Sequence, residues 1–549
     1  MILDAFVILA YFVIIISIGL YKGRGDGTME GFAVGNRSIP WWAVLASILA
    51  AEVSAATFLG APGEGYEYRN YTYAQLAIGT ILARLLVSII FIKPYYDYRV
   101  ISIYDFLRVR FGNTTKNGAS IVFLITRALA SGTRLYVAAI VLVLGWEKLY
   151  NVHLAPVQAV WIYIIALLLL TGFTAIYTAL GGIKAVVWTD FIQASIMFGA
   201  LGFAIWSLLR LIPGGWHTVI ARAHELIPES SGADAAAKAR DTAQHAMTFW
   251  NTGITPGASA WQNLRNILES EYTVWAAFIA STFTTMATHG TDQDMVQRML
   301  TAKDYVRSRI SLVLSGLIDL PLALCFLTVG ILLWAFYRKP GMPDAFAYYI
   351  VNQLPPGVRG ILIAGLFATA MGSLSTALNA LATSFTEDWY IPYIRPGAQP
   401  RQVVRAARIS TVFFSILLVL IGAATAYAKL VLDLRIIPIV LGIFGYTYGS
   451  LLGVFLAGML TKTRGNDTGN IIAMVCGFMA VAVLSGLHNT LWQICHGGNT
   501  SINLWKPEWL PEIAFPWRIA FGSIITFAIA ILFSTSPARQ EFARRHVEG

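Results

Sequence analysis

Apolar runs separated by short polar segments fill this 549-residue chain. About thirteen of them reach the length that crosses a hydrocarbon core of ~30 Å at ~1.5 Å per helical residue. They fall near 2–21, 41–60, 72–92, 117–146, 158–180, 184–212, 270–289, 305–336, 358–389, 404–427, 430–461, 468–487 and 516–534. The pattern predicts an all-α polytopic membrane protein. The first run, in MILDAFVILAYF, has no basic segment ahead of it, so it reads as a spanning helix rather than a cleaved signal.

One run departs from the others. From Ala50 to Gly65, AAEVSAATFLGAPGEG sets Ser54, Thr57 and a Gly-Ala-Pro-Gly stretch in an apolar background. Pro62 lacks an N–H and disfavours helix at Ala61, which predicts unwinding there and freed carbonyls. In lipid such a break is tolerated only against protein or a water-filled cavity. A Pro-kinked packing helix would carry the same residues, because Gly and Pro are common in membrane helices. A second interruption is expected where the 270–289 run ends, at Met286-Ala287-Thr288-His289-Gly290-Thr291. The two runs head two five-span halves, about 41–212 and 270–461, whose orientations oppose because five is odd. Matching interrupted helices mark an inverted-repeat core with its site near the midplane.

Composition fits a membrane domain: 57% of residues are hydrophobic, 12% charged, and the mean hydropathy is +0.64. Soluble domains carry roughly 25% charge. The formal charge of +10 would suit nucleic acid. However, Lys and Arg gather in the loops of one side, which predicts the N-terminus outside, the C-terminus in the cytoplasm and no nucleic-acid partner. The expected location is a cell membrane, inner or plasma. Cys325, Cys476 and Cys495 stand too far apart in sequence to imply a metal site or a disulfide framework. The long outer loop 213–269 contains the polar, alanine-rich PESSGADAAAKARDTAQHA and predicts a short surface helix; the Trp-rich loop 488–513 is expected at the interface. Sequons at Asn70 and Asn499 fall outside but those at Asn113 and Asn466 fall inside, so they are read as chance.

Four stretches carry a family resemblance: MEGFAVGNRSIPWW (29–42), GGIKAVVWTDFIQASIMFGA (181–200), THGTDQDMVQRMLTAKD (288–304) and SLSTALNALATSFTEDWY (373–390). Together they resemble the sodium/solute symporter family, whose members carry sugars, proline, sialic acid, iodide and vitamins with sodium, and the match extends from about Met29 to Arg464. The resemblance implies a LeuT-type five-plus-five inverted-repeat core over 29–464. A first helix and inner loop (1–28) would precede it. Two further helices and a short cytoplasmic tail (465–549) would follow. It also implies uptake of a small solute driven by Na⁺ through alternating access.

A hard cation such as Na⁺ takes carbonyl and hydroxyl oxygens. The resemblance implies one site from the carbonyls of Ala50, Val53 and Thr369 and the hydroxyl of Ser373, with Gly372 where the family commonly has a second hydroxyl. It further implies a second ion held by Asp190, Ser375 and Thr376. Apart from the resemblance, Ser375 and Thr376 also suit small-residue helix packing, and Asp190 suits a cap on a helix following Thr189.

Three arginines lie within apolar runs: Arg84, Arg127 and Arg134. A central arginine costs about 2.5–3.5 kcal/mol on insertion scales and should face a partner or a cavity. Arg127 and Arg134 are seven residues apart and share one stripe of the fourth span. Arg134 lies in SGTRLY among small residues, and in the sialic acid branch of the resembled family an arginine on this helix meets the substrate carboxylate. Snorkelling to the interface or pairing with an acid such as Glu52 is the alternative. The sugar carriers have a Glu-Gln pair where this chain has Ala56-Thr57. The predicted pocket is Thr57, Gln75, Arg134 and Thr285, with Phe58 as a lid, around a carboxylate-bearing solute such as sialic acid or a monocarboxylate. Alternatives are a neutral-solute symporter or a sodium/solute sensor on the same fold. An enzyme is not expected, since the eight histidines form no metal spacing and only His289 lies near the expected site.

Overall fold

The computed structural model describes residues 2–23, 27–150, 154–228, 233–342, 344–432, 442–496, 511 and 513–548. Residues 433–441 of the 430–461 run, and Asn499 with most of the 488–513 loop, lie outside the described residues.

Apolar periodicity yields helices throughout. The chain opens with α1 (Ile2–Lys22) and then forms α2 (Trp41–Glu52) and α3 (Ala55–Tyr68), which meet at a 64° bend. Next come α4 (Leu76–Val87), α5 (Asn113–Tyr150) and α6 (Pro156–Leu211). Among the described residues, nine helices are long and apolar enough to cross a membrane, or ten if the bent pair counts as one span. The 56-residue α6 covers two expected spans, 158–180 and 184–212. Gly182 divides them with φ 55° and ψ −154°, and a Cβ there would lie 2.6 Å from the Phe32 carbonyl oxygen, so backbone geometry and space both require glycine.

The second half holds α7 (Ser281–Gly290), α8 (Gln293–Met299), α9 (Tyr305–Tyr337), α10 (Val358–Phe385) and α11 (Pro400–Leu430). It ends with α12 (Ile443–Leu460), and α13 (Asp467–Leu484) and α14 (Phe515–Ala530) follow it. The 213–269 loop carries three short helices, including Ala233–Gln244 in the alanine-rich stretch.

Two packing groups emerge. In one, α2, α3 and α4 gather around α9 and α7 packs on α4; in the other, α5, α6, α10 and α11 pack on one another. Close approach within the first group depends on glycine: a Cβ on Gly330 of α9 would lie 2.0 Å from the Pro62 carbonyl oxygen, and one on Gly65 would lie 2.3 Å from that of Leu327. Small residues let helices pack when no hydrophobic force separates helix from lipid. Gly330→Ala should therefore destabilise by about 1–3 kcal/mol through overpacking. Gly172→Ala, whose Cβ would meet nothing within 4 Å, should be neutral or stabilising. Melting temperatures of the two variants in one detergent check this; equal values would contradict the packing argument.

The groups face each other through α2 against α6 and α10, and α3 against α5 and α10. The span around α10 is the most enclosed: 83% of its apolar window is buried, against 28% for α1. Any site built from the broken helix and α10 therefore sits at the seam between the two groups.

Candidate functional site

The break in the first core helix falls at Val53–Ser54, not at Ala61–Pro62. Pro62 lies inside α3 and its helix continues to Tyr68. Ser54 starts α3 as an N-cap, and this changes which carbonyls are freed. Its N–H donates to the Glu52 carbonyl at 3.1 Å, where an unbroken helix would use Ala50. The Thr57 N–H donates to Ser54 Oγ at 3.3 Å, where an unbroken helix would use Val53. The Ala50 and Val53 carbonyls are thereby released from the helical ladder. In the second half α7 stops at Gly290 and Asp292 caps α8 by accepting from the Asp294 N–H at 2.9 Å, so the interruption there lies at Thr291–Asp292.

Facing the first break, α10 presents Thr369, Gly372 and Ser373. A Cβ on Gly372 would lie 3.1 Å from the Ala50 carbonyl oxygen, so the two helices meet where the carbonyl is free. Ser373 Oγ donates to the Ala370 carbonyl (3.1 Å), Ser375 Oγ to Gly372 (3.1 Å) and Thr376 Oγ1 to Ser373 (2.7 Å). Each proton is turned onto its own helix, which leaves hydroxyl lone pairs facing outward. That is the orientation a cation needs.

Asp190 lies inside the second part of α6 and is fully buried, so it caps no helix. Its Oδ2 accepts from Ser47 Oγ (2.5 Å) and from Arg298 Nη2 (3.5 Å), while Oδ1 has no hydrogen-bond partner among the described residues. Arg298 also donates to Asp294 Oδ1 at 3.0 Å. Asp294 in turn pairs with Arg127 at 3.0 Å, and Arg127 makes a closer bond to Asp292, which accepts from the Tyr448 hydroxyl at 2.6 Å. A continuous buried relay thus joins α6, α8, α5 and α12.

The three membrane arginines separate by partner. Arg84 bonds Glu52 and donates to Ser315 Oγ at 3.1 Å, and His289 Nε2 lies 3.1 Å from the same Glu52 carboxylate. Arg127 belongs to the relay above. Arg134 is half-buried and makes no ion pair or hydrogen bond among the described residues; its guanidinium lies 5.1 Å from the centre of the Phe444 ring. Arg134 and Ser373 line one cavity of about 20 Å³ with Ala55, Ser131, Ala138 and Ala370. That volume admits roughly one water, so a solute enters only after the seam opens.

The pocket expected from the sequence is only partly assembled. Ala55, rather than Thr57, stands against Arg134; Thr57 Oγ1 shares a 3.3 Å hydrogen bond with Ser54 Oγ. Gln75 is fully buried, with its amide donating to the Thr72 carbonyl (3.0 Å) and its oxygen accepting from the Asn251 N–H (3.2 Å). It therefore anchors the 213–269 loop. The Phe58 ring is fully buried, 5.7 Å from Phe326 and 5.5 Å from Phe346. Thr285 is buried on α7, and its carbonyl accepts from the Thr288 hydroxyl at 3.2 Å. Sequence reasoning assigned no role to Ser47, Asp292, Asp294, Arg298 or Tyr448. Asp292, Asp294 and Arg298 stand in the THGTDQDMVQR motif, but their partners come from far along the chain.

A broken helix facing a buried hydroxyl-rich helix, at a seam between two packing groups, is the arrangement of a secondary transporter. The sodium:solute symporter family model matches residues 32–477, and the chain belongs to that family. It is a multi-pass integral membrane carrier that couples a small solute to sodium, and not an enzyme. The human sodium-coupled monocarboxylate transporter 1 is 24% identical over 500 residues, 88% of this chain and 73% of that protein. The sodium/glucose cotransporter 1 of Ovis aries is 25% identical over 565 residues, 96% of this chain and 77% of that protein. Among solved structures, a substrate-bound, outward-open Na⁺-coupled sialic acid symporter matches with a TM-score of 0.76 at 19% identity, covering 97% of this chain and 99% of that one. The fold is thus the LeuT-type arrangement of two five-helix repeats.

Proposed function

We propose that this symporter carries a small carboxylate-bearing solute, with Arg134 receiving the carboxylate. The observation that carries the reading is the one membrane arginine of the three that has no acid partner among the described residues, lining a cavity shared with Ser373. Arginine binds carboxylate through a planar two-bond fork, and a desolvated guanidinium favours an anion that restores its charge balance. The similarity to a monocarboxylate carrier favours this reading; the similarity to a glucose carrier leaves a neutral solute as the competing one.

In this proposal the carbonyls of Ala50, Val53 and Thr369 with Ser373 hold one sodium, and Asp190 with Ser375 and Thr376 holds a second. Each ion entering gains about 2.3 kcal/mol per 100 mV. A carboxylate entering with two ions cancels one of their charges, so the net charge of one sustains roughly fortyfold accumulation at that voltage, since tenfold corresponds to about 1.4 kcal/mol, and the sodium gradient adds to it. Sodium filling oxygens on both groups would hold the seam closed on the inner side until release loosens it by population shift. The proposed core spans 29–464 and the proposed orientation is N-terminus outside, C-terminus in the cytoplasm.

The test is uptake into proteoliposomes of sialic acid, short monocarboxylates, proline, glucose and myo-inositol, with and without an inward sodium gradient. Sodium-driven accumulation of an acid is expected. Accumulation of a neutral solute alone would overturn the carboxylate reading, and accumulation of none of the panel would favour a sensor.

A further inference from the structure

Gly372 leaves the first sodium site one hydroxyl short, and the structure has another oxygen at that place. A Cβ on Gly372 would lie 3.1 Å from the Ala50 carbonyl oxygen and 3.2 Å from Gln193 Oε1. Both oxygens therefore border the small volume that a residue-372 side chain would fill. Gln193 is 1% exposed, and its Oε1 has no hydrogen-bond partner among the described residues. A buried acceptor without a donor is costly, and such exceptions call for an explanation.

The orientation of the amide follows from its neighbours. Tyr11 directs its hydroxyl proton to Met371 Sδ at 3.6 Å, which leaves the phenol oxygen to accept from Gln193 Nε2 at 3.4 Å. With the NH₂ end held by Tyr11, the carbonyl end faces Gly372 and Ala50. Amide oxygen is a hard neutral donor of the same kind as the backbone carbonyls.

We infer that Gln193 Oε1 is a sodium ligand that replaces the hydroxyl missing at Gly372. A glycine at 372 is then the complement of this ligand, since a side chain there would crowd the amide. This inference rests on the sodium site proposed above. It predicts that a hydroxyl at 372 restores sodium affinity lost at 193, an effect that packing alone does not supply.

Sodium titrations of the purified protein, read as the rise in melting temperature in a choline background without solute, test it. The wild type should be stabilised by sodium through mass action. Gln193→Leu should weaken the apparent sodium affinity by about tenfold or more, as loss of a ligand or its support does at metal sites. Gly372→Ser added to Gln193→Leu should restore most of it, because the hydroxyl returns as the amide leaves. Gln193→Glu, which keeps an oxygen at the same reach, should bind sodium at least as tightly as the wild type. Unchanged affinity in Gln193→Leu, no rescue by Gly372→Ser, or weakened binding in Gln193→Glu would each overturn the ligand role. A wild-type protein whose melting ignores sodium would instead remove the site on which the inference rests.

Discussion

Replacing Arg134 with Ala or Lys should abolish accumulation of the carboxylate solute while the protein stays folded in the membrane. In the alanine variant the carboxylate would enter a desolvated cavity without its counter-charge. Truncating one partner of such a pair costs about 2–5 kcal/mol, enough to lower uptake by more than tenfold at a fixed solute concentration. Lysine keeps the charge but loses the planar fork, and the shorter reach of a point charge does not restore two parallel bonds. Stability should be nearly unaffected, since no acid among the described residues is left unpaired when Arg134 goes. Uptake that survives in both variants would refute the carboxylate role. Loss of uptake together with loss of folding would refute the structural half of the argument.

Arg127 should behave in the opposite way. It is buried against two carboxylates, Asp292 and Asp294, so Arg127→Met leaves both with less counter-charge in a region of low dielectric. Breaking one side of a buried pair costs about 3–5 kcal/mol, largely from the charge left behind. We expect a large drop in melting temperature and in membrane yield. Adding Asp292→Asn to Arg127→Met should recover part of it by removing one uncompensated charge. A single variant as stable as the wild type would show that the relay between α5 and α8 contributes nothing. The contrast between two arginines two helical turns apart separates a guanidinium held for structure from one held for a ligand.

The spans were legible because a bilayer imposes length and apolarity on every crossing, and both can be counted along the chain. The break was legible as an event but misplaced. Pro62 removes a single N–H and sits within a continuing helix, whereas the change of direction is made by Ser54 capping α3 through the Thr57 N–H. A serine three residues ahead of a threonine in an apolar run was the available signal. Ala50 and Val53 came from resemblance, and the break at Ser54 gives a physical reason why those two carbonyls are free. Gln75 and Phe58 stood outside the reach of pattern reading. Their partners, Asn251 in one case and Phe326 with Phe346 in the other, approach only in three dimensions. The same holds for Asp292, whose arginine lies 165 residues away.

The long helix α9 touches both halves of the broken span. Near its start Ser311 Oγ donates to the Trp41 carbonyl at 2.8 Å, and near its end Gly330 lies against Pro62. A single rod fastened on either side of an elbow acts as a splint. The 64° angle between α2 and α3 is thereby braced by one helix on both sides of the bend. A movement of α2, α3 and α9 against α6 and α10 would carry the elbow and its two free carbonyls as one piece.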